Sequence, residues 1–448
     1  MRLSMRQAMV GAAMLALAEP GPARAQLLDA WRACVGDGGV GLNGQVDGCT
    51  RVIESGRETP EHLSVAHFNR GVVYQQVGAL DGALADYDQA IELAPRNAEA
   101  LTARGGLHYA KGDYDRAVAD YDRAITAAPN AVEGYLGRGA ALIARGEFRD
   151  AVTVYDKALG LRPQAAEALA GRGAAYERQG DDRRAVADFA RALALDPSLA
   201  AAFANRAWLY ERKGDHEGAL ADYDRAVHLR PDFAQAFAGR AWTWLQKGDA
   251  ARAAADYAVA AQLAPGDAQI RFGRAFAYQA QGQMDQAIGE YGEAIRLDPG
   301  DAAAYNNRGD AYADRGDTAR ALADFDAAIR LRPGYVRALN NRAGVRYAAG
   351  DLDGALADFD TALEHDPANL RSILGRAFVR FRHGEFAPAA ADYETALRLK
   401  PDEPSSLFGR GLARLRLGDA DQGHADIAAA LRIDAGVAAL FARYGASP

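Results

Sequence analysis

Cysteine is nearly missing from this chain of 448 residues: only Cys34 and Cys49 occur. Two thiols exclude a disulfide-dense scaffold, and neither a C-x-x-C pair nor a zinc-ligand spacing is present. Histidine is sparse too. His62, His67, His108, His216, His228, His365, His383 and His424 are scattered, with no pair at metal-ligand spacing on one helix face. Serine is rare, and no nucleophilic serine motif, H-E-x-x-H, phosphate-binding loop or dinucleotide fingerprint occurs. The residues therefore point to no enzyme, no cofactor and no metal. An excess of base is also lacking. The formal charge is −8, and the body is more acidic still, because Arg2, Arg6 and Arg24 face only Glu19 within the first 25 residues. Such a body is repelled by phosphates and anionic lipid heads, so neither nucleic acid nor a membrane surface is expected as partner. Beyond the N-terminus no apolar run is long enough to span a bilayer, so no membrane span is expected in the mature chain.

What is present begins with an address. Arg2 and Arg6 precede an apolar run from Ala8 to Ala18, and Ala23-Arg24-Ala25 supplies the small-x-small pattern of a signal-peptidase site. Residues 1–25 read as a signal peptide of the general secretory route, with the mature chain starting at Gln26 in a periplasmic or secreted setting. An uncleaved anchor is the alternative. In an oxidising compartment Cys34 and Cys49, fifteen residues apart, are expected to form a disulfide. It would staple a weak hairpin formed by Leu27–Cys34 and Val46–Ile53.

The dominant signal is a period of 34. Pro95, Pro129, Pro163, Pro197, Pro231, Pro265, Pro299, Pro333, Pro367 and Pro401 stand on one ladder without a slip. Glycine repeats it from Gly78 through Gly214 to Gly418, and alanine from Ala90 to Ala430. An aromatic column runs from Tyr87 to Tyr393 and fails only at Ile427. In the unit Ala200–Phe233, helical periodicity runs to Lys213, Gly214 supplies a left-handed stop, and Asp215 suits the next helix N-terminus. A second helix follows from about Glu217 to Leu229, and Pro231 prevents its continuation. Ala219 and Ala226 allow close backbone approach, with Tyr223 as the wedge between them. One hairpin cannot bury its apolar face alone, whereas stacked neighbours can.

This pattern of first-helix Gly, then Ala, an aromatic four residues on and a late Pro resembles the tetratricopeptide repeat. The resemblance covers residues 64–437 as eleven units. It implies an all-α, right-handed superhelical solenoid of stacked antiparallel helix hairpins, flanked by a degenerate N-terminal capping hairpin (26–63) and a C-terminal capping helix and tail (438–448). Thr59-Pro60-Glu61 reads as the N-cap, first-turn proline and acid of the first full unit. One departure from the family stands out. Where a bulky leucine is usual before the first-helix Gly, all eleven units carry arginine, from Arg70 to Arg410. The position before the aromatic is acidic in ten units, with Val154 the exception. Either these form a ladder of Arg–carboxylate pairs, or the arginine stems merely cover apolar surface; the acidic column favours pairing.

The resemblance further implies that first helices line a concave groove. Its columns change along the chain. Trp208, Trp242, Phe272 and Phe276 make a central stretch aromatic. Asn306, Asn307, Asn340 and Asn341, with Asp310, make the next one rich in amides. Arg337, Arg371 and Phe378 follow. Aromatics offer large contact area at low entropic cost, amides suit a peptide backbone, and arginines suit carboxylates. The order fits a peptide or protein partner held by a non-catalytic scaffold in the cell envelope. Trp208 and Trp242 leave open a second reading, a cell-wall or exported glycan stacked on the rings, and they are also compatible with plain packing between repeats. A subunit completing an enzyme site in trans is the remaining alternative.

Overall fold

The turn within each repeat is set by a few backbone facts. In the unit anticipated above, Gly214 adopts φ 77°, and the amides of Gly214 and Asp215 bond back to the carbonyls of Glu211 and Tyr210 at 2.8 and 2.9 Å. This satisfies the carbonyls that a helix end leaves open. Asp215 Oδ1 then accepts the Gly218 amide at 2.9 Å, capping the second helix. The first helix runs Ala200–Arg212 and the second His216–Leu229, one residue earlier than the sequence pattern suggests.

A computed structural model describes residues 22–443 and 445. The expected leader, residues 1–25, lies almost wholly outside the described residues, as does Tyr444. The described residues contain α-helices, one short 3-10 turn and no strand. They fall into two compact units, one ending at Leu229 and one beginning at Arg230. The first holds α1 Pro22–Cys34, α2 Leu42–Glu54, α3 Pro60–Gln76, α4 Leu80–Leu93, α5 Ala98–Ala110, α6 Tyr114–Ala127, α7 Val132–Arg145, α8 Phe148–Leu161, α9 Ala166–Arg178, α10 Asp182–Leu195, α11 Ala200–Arg212 and α12 His216–Leu229. The second holds α13 Ala234–Gln246, α14 Ala250–Leu263, α15 Ala268–Ala280, α16 Met284–Leu297, α17 Ala302–Asp314, α18 Thr318–Leu331, α19 Val336–Ala348, α20 Leu352–His365, α21 Leu370–Arg382, α22 Phe386–Leu399, α23 Pro404–Arg416, α24 Ala420–Ile433 and α25 Val437–Arg443. Within each unit every hairpin packs on the next. No helix is long and apolar enough to cross a membrane among the described residues.

Two columns build the core. Alanines such as Ala83, Ala90, Ala117, Ala151, Ala158 and Ala185 are fully buried and bring helix backbones together. The aromatic column fills the space between them, and Tyr87, Phe189, Tyr291 and Phe325 have no exposed surface. Several wedges, among them Tyr121, Tyr155, Tyr257, Phe359 and Tyr393, also press into the first helix of the following hairpin. A Cβ on Gly137 would stand 2.2 Å from the Tyr121 ring, and one on Gly171 would stand 2.3 Å from Tyr155. Glycine at those points is the socket that receives the ring.

The arginine column pairs with the acidic column inside the hairpin. Arg70, Arg104, Arg172, Arg206, Arg240, Arg308, Arg342, Arg376 and Arg410 each donate through Nε and Nη2 to both carboxylate oxygens of the residue sixteen positions on. That residue is Asp86, Asp120, Asp188, Asp222, Asp256, Asp324, Asp358, Asp392 or Asp426 respectively. The planar guanidinium fork matches a carboxylate edge to edge. Arg274 meets Glu290 at 3.0 Å. Arg104, Arg172, Arg342 and Arg376 also reach backwards through Nη1, to Asp88, Asp156, Asp326 and Asp360 of the preceding hairpin at 2.6 to 2.7 Å. In the unit with Val154, Arg138 turns to the preceding hairpin's Asp122 at 2.6 Å. Pairing, rather than stem coverage alone, is thus how the column is used. At Asp86, burial by itself would push the carboxyl up. The hydrogen bonds from Arg70 and His67, with their charges, outweigh it and hold the group below the ordinary carboxylate range.

The first two helices are tied by the Cys34–Cys49 disulfide. Trp31 Nε1 donates to Glu58 Oε1 at 2.8 Å, and the other oxygen of Glu58 meets His62 Nδ1, so the stapled hairpin is fastened to α3. Thr59 caps α3 by accepting the His62 amide at 3.3 Å, as the sequence motif indicates.

Candidate functional site

The first helices of the second unit carry most of the residues the sequence singles out. Trp208 belongs to the first unit, on α11, where it is 44% exposed. Trp242 on α13 and Phe276 on α15 occupy equivalent places in consecutive repeats and are 38% and 40% exposed. Large apolar side chains left in solvent at repeated places are the kind of surface a partner covers. Phe272 differs. It packs edge-on against the buried Tyr291 ring, with centroids 5.5 Å apart, and so is partly core.

Tyr291 starts a polar chain. Its hydroxyl donates to Gln279 Oε1 at 2.9 Å, and Gln279 Nε2 donates to Asp310 Oδ2 at 3.1 Å. Burial pushes the Tyr291 phenol up, so it remains a donor. Asp310 is half-buried on α17. Burial first, and the neighbouring Asp314 second, push its carboxyl above the usual range, against the pull of Gln279, Arg371 and Arg337. It has no cation within ion-pair distance among the described residues, and its one hydrogen-bond partner is a neutral amide.

A second chain runs through asparagines. Asn306 Nδ2 donates to Asn307 Oδ1 at 2.9 Å, Asn341 Nδ2 donates to Asn306 Oδ1 at 3.2 Å, and Arg371 Nη2 donates to Asn341 Oδ1 at 3.0 Å. Three successive repeats are linked by side-chain amides ending on an exposed guanidinium. Arg371 has only this neutral partner, and Arg337, also exposed, forms no ion pair among the described residues.

Two expected contact residues are corrected by their burial. Asn306 is 1% exposed and Asn340 is 4% exposed, so neither faces a groove. Adjacent residues on a helix point about 100° apart, so both members of an Asn-Asn pair cannot face the same side. Asn306 instead orients Asn307 and Asn341. Asn340 accepts from Ser372 Oγ at 2.8 Å and sits behind Asn369, the N-cap of α21. Phe378 is half-buried, edge-on to Tyr347 and to Phe441, each at 5.6 Å. Gln279 and Tyr291 escape a column-by-column reading, because each belongs to a different column and only the stacked repeats bring them to Asp310. Among the described residues no group of three His, Cys, Asp or Glu side chains is placed to hold a metal ion.

No curated protein matches the chain. Solved structures similar to it include yeast Tom70 (17% identity, covering 83% of this chain and 92% of that one, TM-score 0.42). The Cut9–Hcn1 hetero-tetramer of APC/C is similar at 14% identity over 96% and 97%, with TM-score 0.49. A tetratricopeptide repeat protein from Parabacteroides merdae is similar at 23% identity over 52% and 93%, with TM-score 0.41. The tetratricopeptide repeat family model matches residues 68–132, 272–336, 308–369 and 374–438. Further models of the same repeat match 139–180, 166–199 and 200–233. With one of these models alone matching more than half of the residues, on stacked 34-residue helical hairpins, the chain belongs to the tetratricopeptide repeat family.

Proposed function

We propose that this chain is a non-catalytic scaffold in the cell envelope that binds a peptide or protein partner along the first-helix face of its second unit. Tetratricopeptide arrays are in general protein-interaction scaffolds. The observation that carries the finer reading is a contrast in how charge is treated. The arginine column of the hairpins is matched to carboxylates at contact distance, yet Asp310, Arg337 and Arg371 make no contact ion pair among the described residues and surround a pre-ordered amide chain, the two arginines acting on Asp310 only as a longer-range pull. Unpaired charge on the half-buried Asp310 is costly unless a ligand completes it, while the exposed Arg337 and Arg371 are open to a partner's carboxylates. Asn307 and Asn341 offer amide groups to a backbone, Arg337 and Arg371 suit carboxylates, and exposed Phe276 and Trp242 supply apolar area. Export is supported by the N-terminal pattern and by the Cys34–Cys49 disulfide, a cross-link suited to an oxidising compartment.

The test is photo-crosslinking in cells from position 276, with exposed Ala255 on the second helix α14 as the control position. Specific adducts from 276 and none from 255 support the groove; equal labelling from both sides rejects it. A glycan partner is favoured by one observation, the exposure of Trp208 and Trp242. Retention on insoluble wall material that disappears in Trp242→Ala would establish that reading instead.

A further inference from the structure

The column that holds Trp242, Phe276, Asp310, Phe378 and Leu412 has a gap. Its member on α19 is Gly344, in mid-helix, where glycine is a poor choice energetically. Unlike Gly137 or Gly171, it receives no ring: a Cβ there would meet nothing within 4 Å. It lies on the wall of a cavity of about 850 Å³ in the second unit, into which no side chain projects from this position. Tyr347, Leu374 and Phe378 line it from the first helices, and Leu440 and Phe441 of the terminal helix α25 form a further wall. Phe441 is held there against Phe378 and Phe408, with centroids 5.6 and 5.0 Å apart, which shows that this surface accepts an aromatic ring edge-on. The lining is mostly apolar. The unpaired Arg337 and Arg371 stand seven residues before Gly344 and Phe378 on α19 and α21, which is about 10 Å along a helix.

We infer that the hollow at Gly344 is an anchor site. It takes a large apolar side chain of a partner peptide whose acidic residue, about three extended residues away, meets Arg337 and Arg371. This rests on the groove reading above and deepens it. The two unpaired arginines fix the sign of the neighbouring group, the hollow fixes the apolar character of the anchor, and the 10 Å between them fixes the spacing. A large residue placed at 344 projects into the hollow and obstructs it, with nothing within 4 Å of its Cβ to strike.

The experiment pans a phage library of random twelve-residue peptides on the full chain. A synthetic peptide of the enriched sequence is then measured by fluorescence anisotropy. Enrichment of an aromatic or large aliphatic residue three positions from Asp or Glu is expected. Gly344→Phe should weaken binding about thirtyfold, as for loss of an anchor in a desolvated pocket. Arg371→Gln should weaken binding more at low salt than at high salt. Gly344→Leu is the second filling variant, and thermal melts establish that each variant is folded. An enriched peptide that binds Gly344→Phe and Gly344→Leu as tightly as wild type overturns the anchor. If that binding is still lost in Asn341→Ala, the groove reading survives without it; if it is indifferent to Asn341→Ala as well, both fall. Enrichment without the apolar–acid spacing, or no enrichment at all, also overturns the anchor, and the crosslinking at 276 then decides the groove alone.

Discussion

Replacing Arg308 by methionine tests what the charge ladder does for the fold. Arg308 Nε and Nη2 each lie 2.8 Å from an oxygen of Asp324, and no further acid among the described residues is bonded to this guanidinium. The Asp324 side chain is 9% exposed and that of Arg308 is 21% exposed. Arg308→Met therefore leaves a carboxylate with little access to water. Stranding one member of a buried pair costs about 3–5 kcal/mol, and the partial exposure of the arginine puts this case near the lower limit, about 3 kcal/mol. Asp324→Leu strands the arginine instead. That side chain is long enough to turn toward solvent, so about 1–2 kcal/mol is expected. The double variant replaces both groups by apolar ones and should fall within about 1 kcal/mol of wild type. Because repeat arrays lose stability locally, the readout is amide exchange in α17 and α18 rather than a single melting temperature. A cost of 3 kcal/mol raises local opening about a hundredfold. If Arg308→Met exchanged as slowly as wild type, the pairs would be ornaments of the surface. If the double variant were worse than either single one, they would be net stabilisers beyond what burial explains.

Three further outcomes follow from the geometry. Reduction of Cys34–Cys49 should cost about 3 kcal/mol in the loop-closure account, seen as faster amide exchange in α1 and α2 with α5 unchanged. Asp310 has its carboxyl raised by burial, so the stability tied to it is complete below pH 3.8 and is lost as pH rises through the raised value. Asp310→Asn should accordingly melt above wild type at pH 7 and converge with it in acid; a variant less stable at pH 7 would refute the placement. Gly344→Ala should gain about 0.5–1 kcal/mol, whereas Gly214→Ala, at φ 77°, should lose at least as much; parallel thermal melts compare them.

The repeat architecture was legible in the sequence because its determinants are local. Gly214, Asp215 and Pro231 act on the backbone within a few residues of themselves, and the 34-residue spacing repeats their message. The arginine and acid columns could be matched for the same reason: sixteen residues apart in every hairpin but the one with Val154, they meet wherever the hairpin closes. For the candidate residues, the sequence can be compared with the structure only in where each side chain lies. Phe276, Trp242, Asp310 and Arg371 are where a first-helix face puts them. Asn306 and Asn340 are not, because a difference of one residue turns a side chain from surface to interior. The hollow at Gly344 could not be read at all. It depends on a missing side chain beside Phe378 and on Phe441 coming back from 63 residues along the chain.

The two-way reach of the arginines carries an implication for the length of such a chain. Where a guanidinium holds an acid sixteen residues ahead and another sixteen residues behind, as at Arg104, Arg172, Arg342 and Arg376, the joints it makes have the same chemistry on their two sides. Excising one complete hairpin would rejoin equivalent partners, whereas excising half of one would orphan a buried charge. Size can thus change by whole modules through duplication or loss, with the connecting surfaces already compatible.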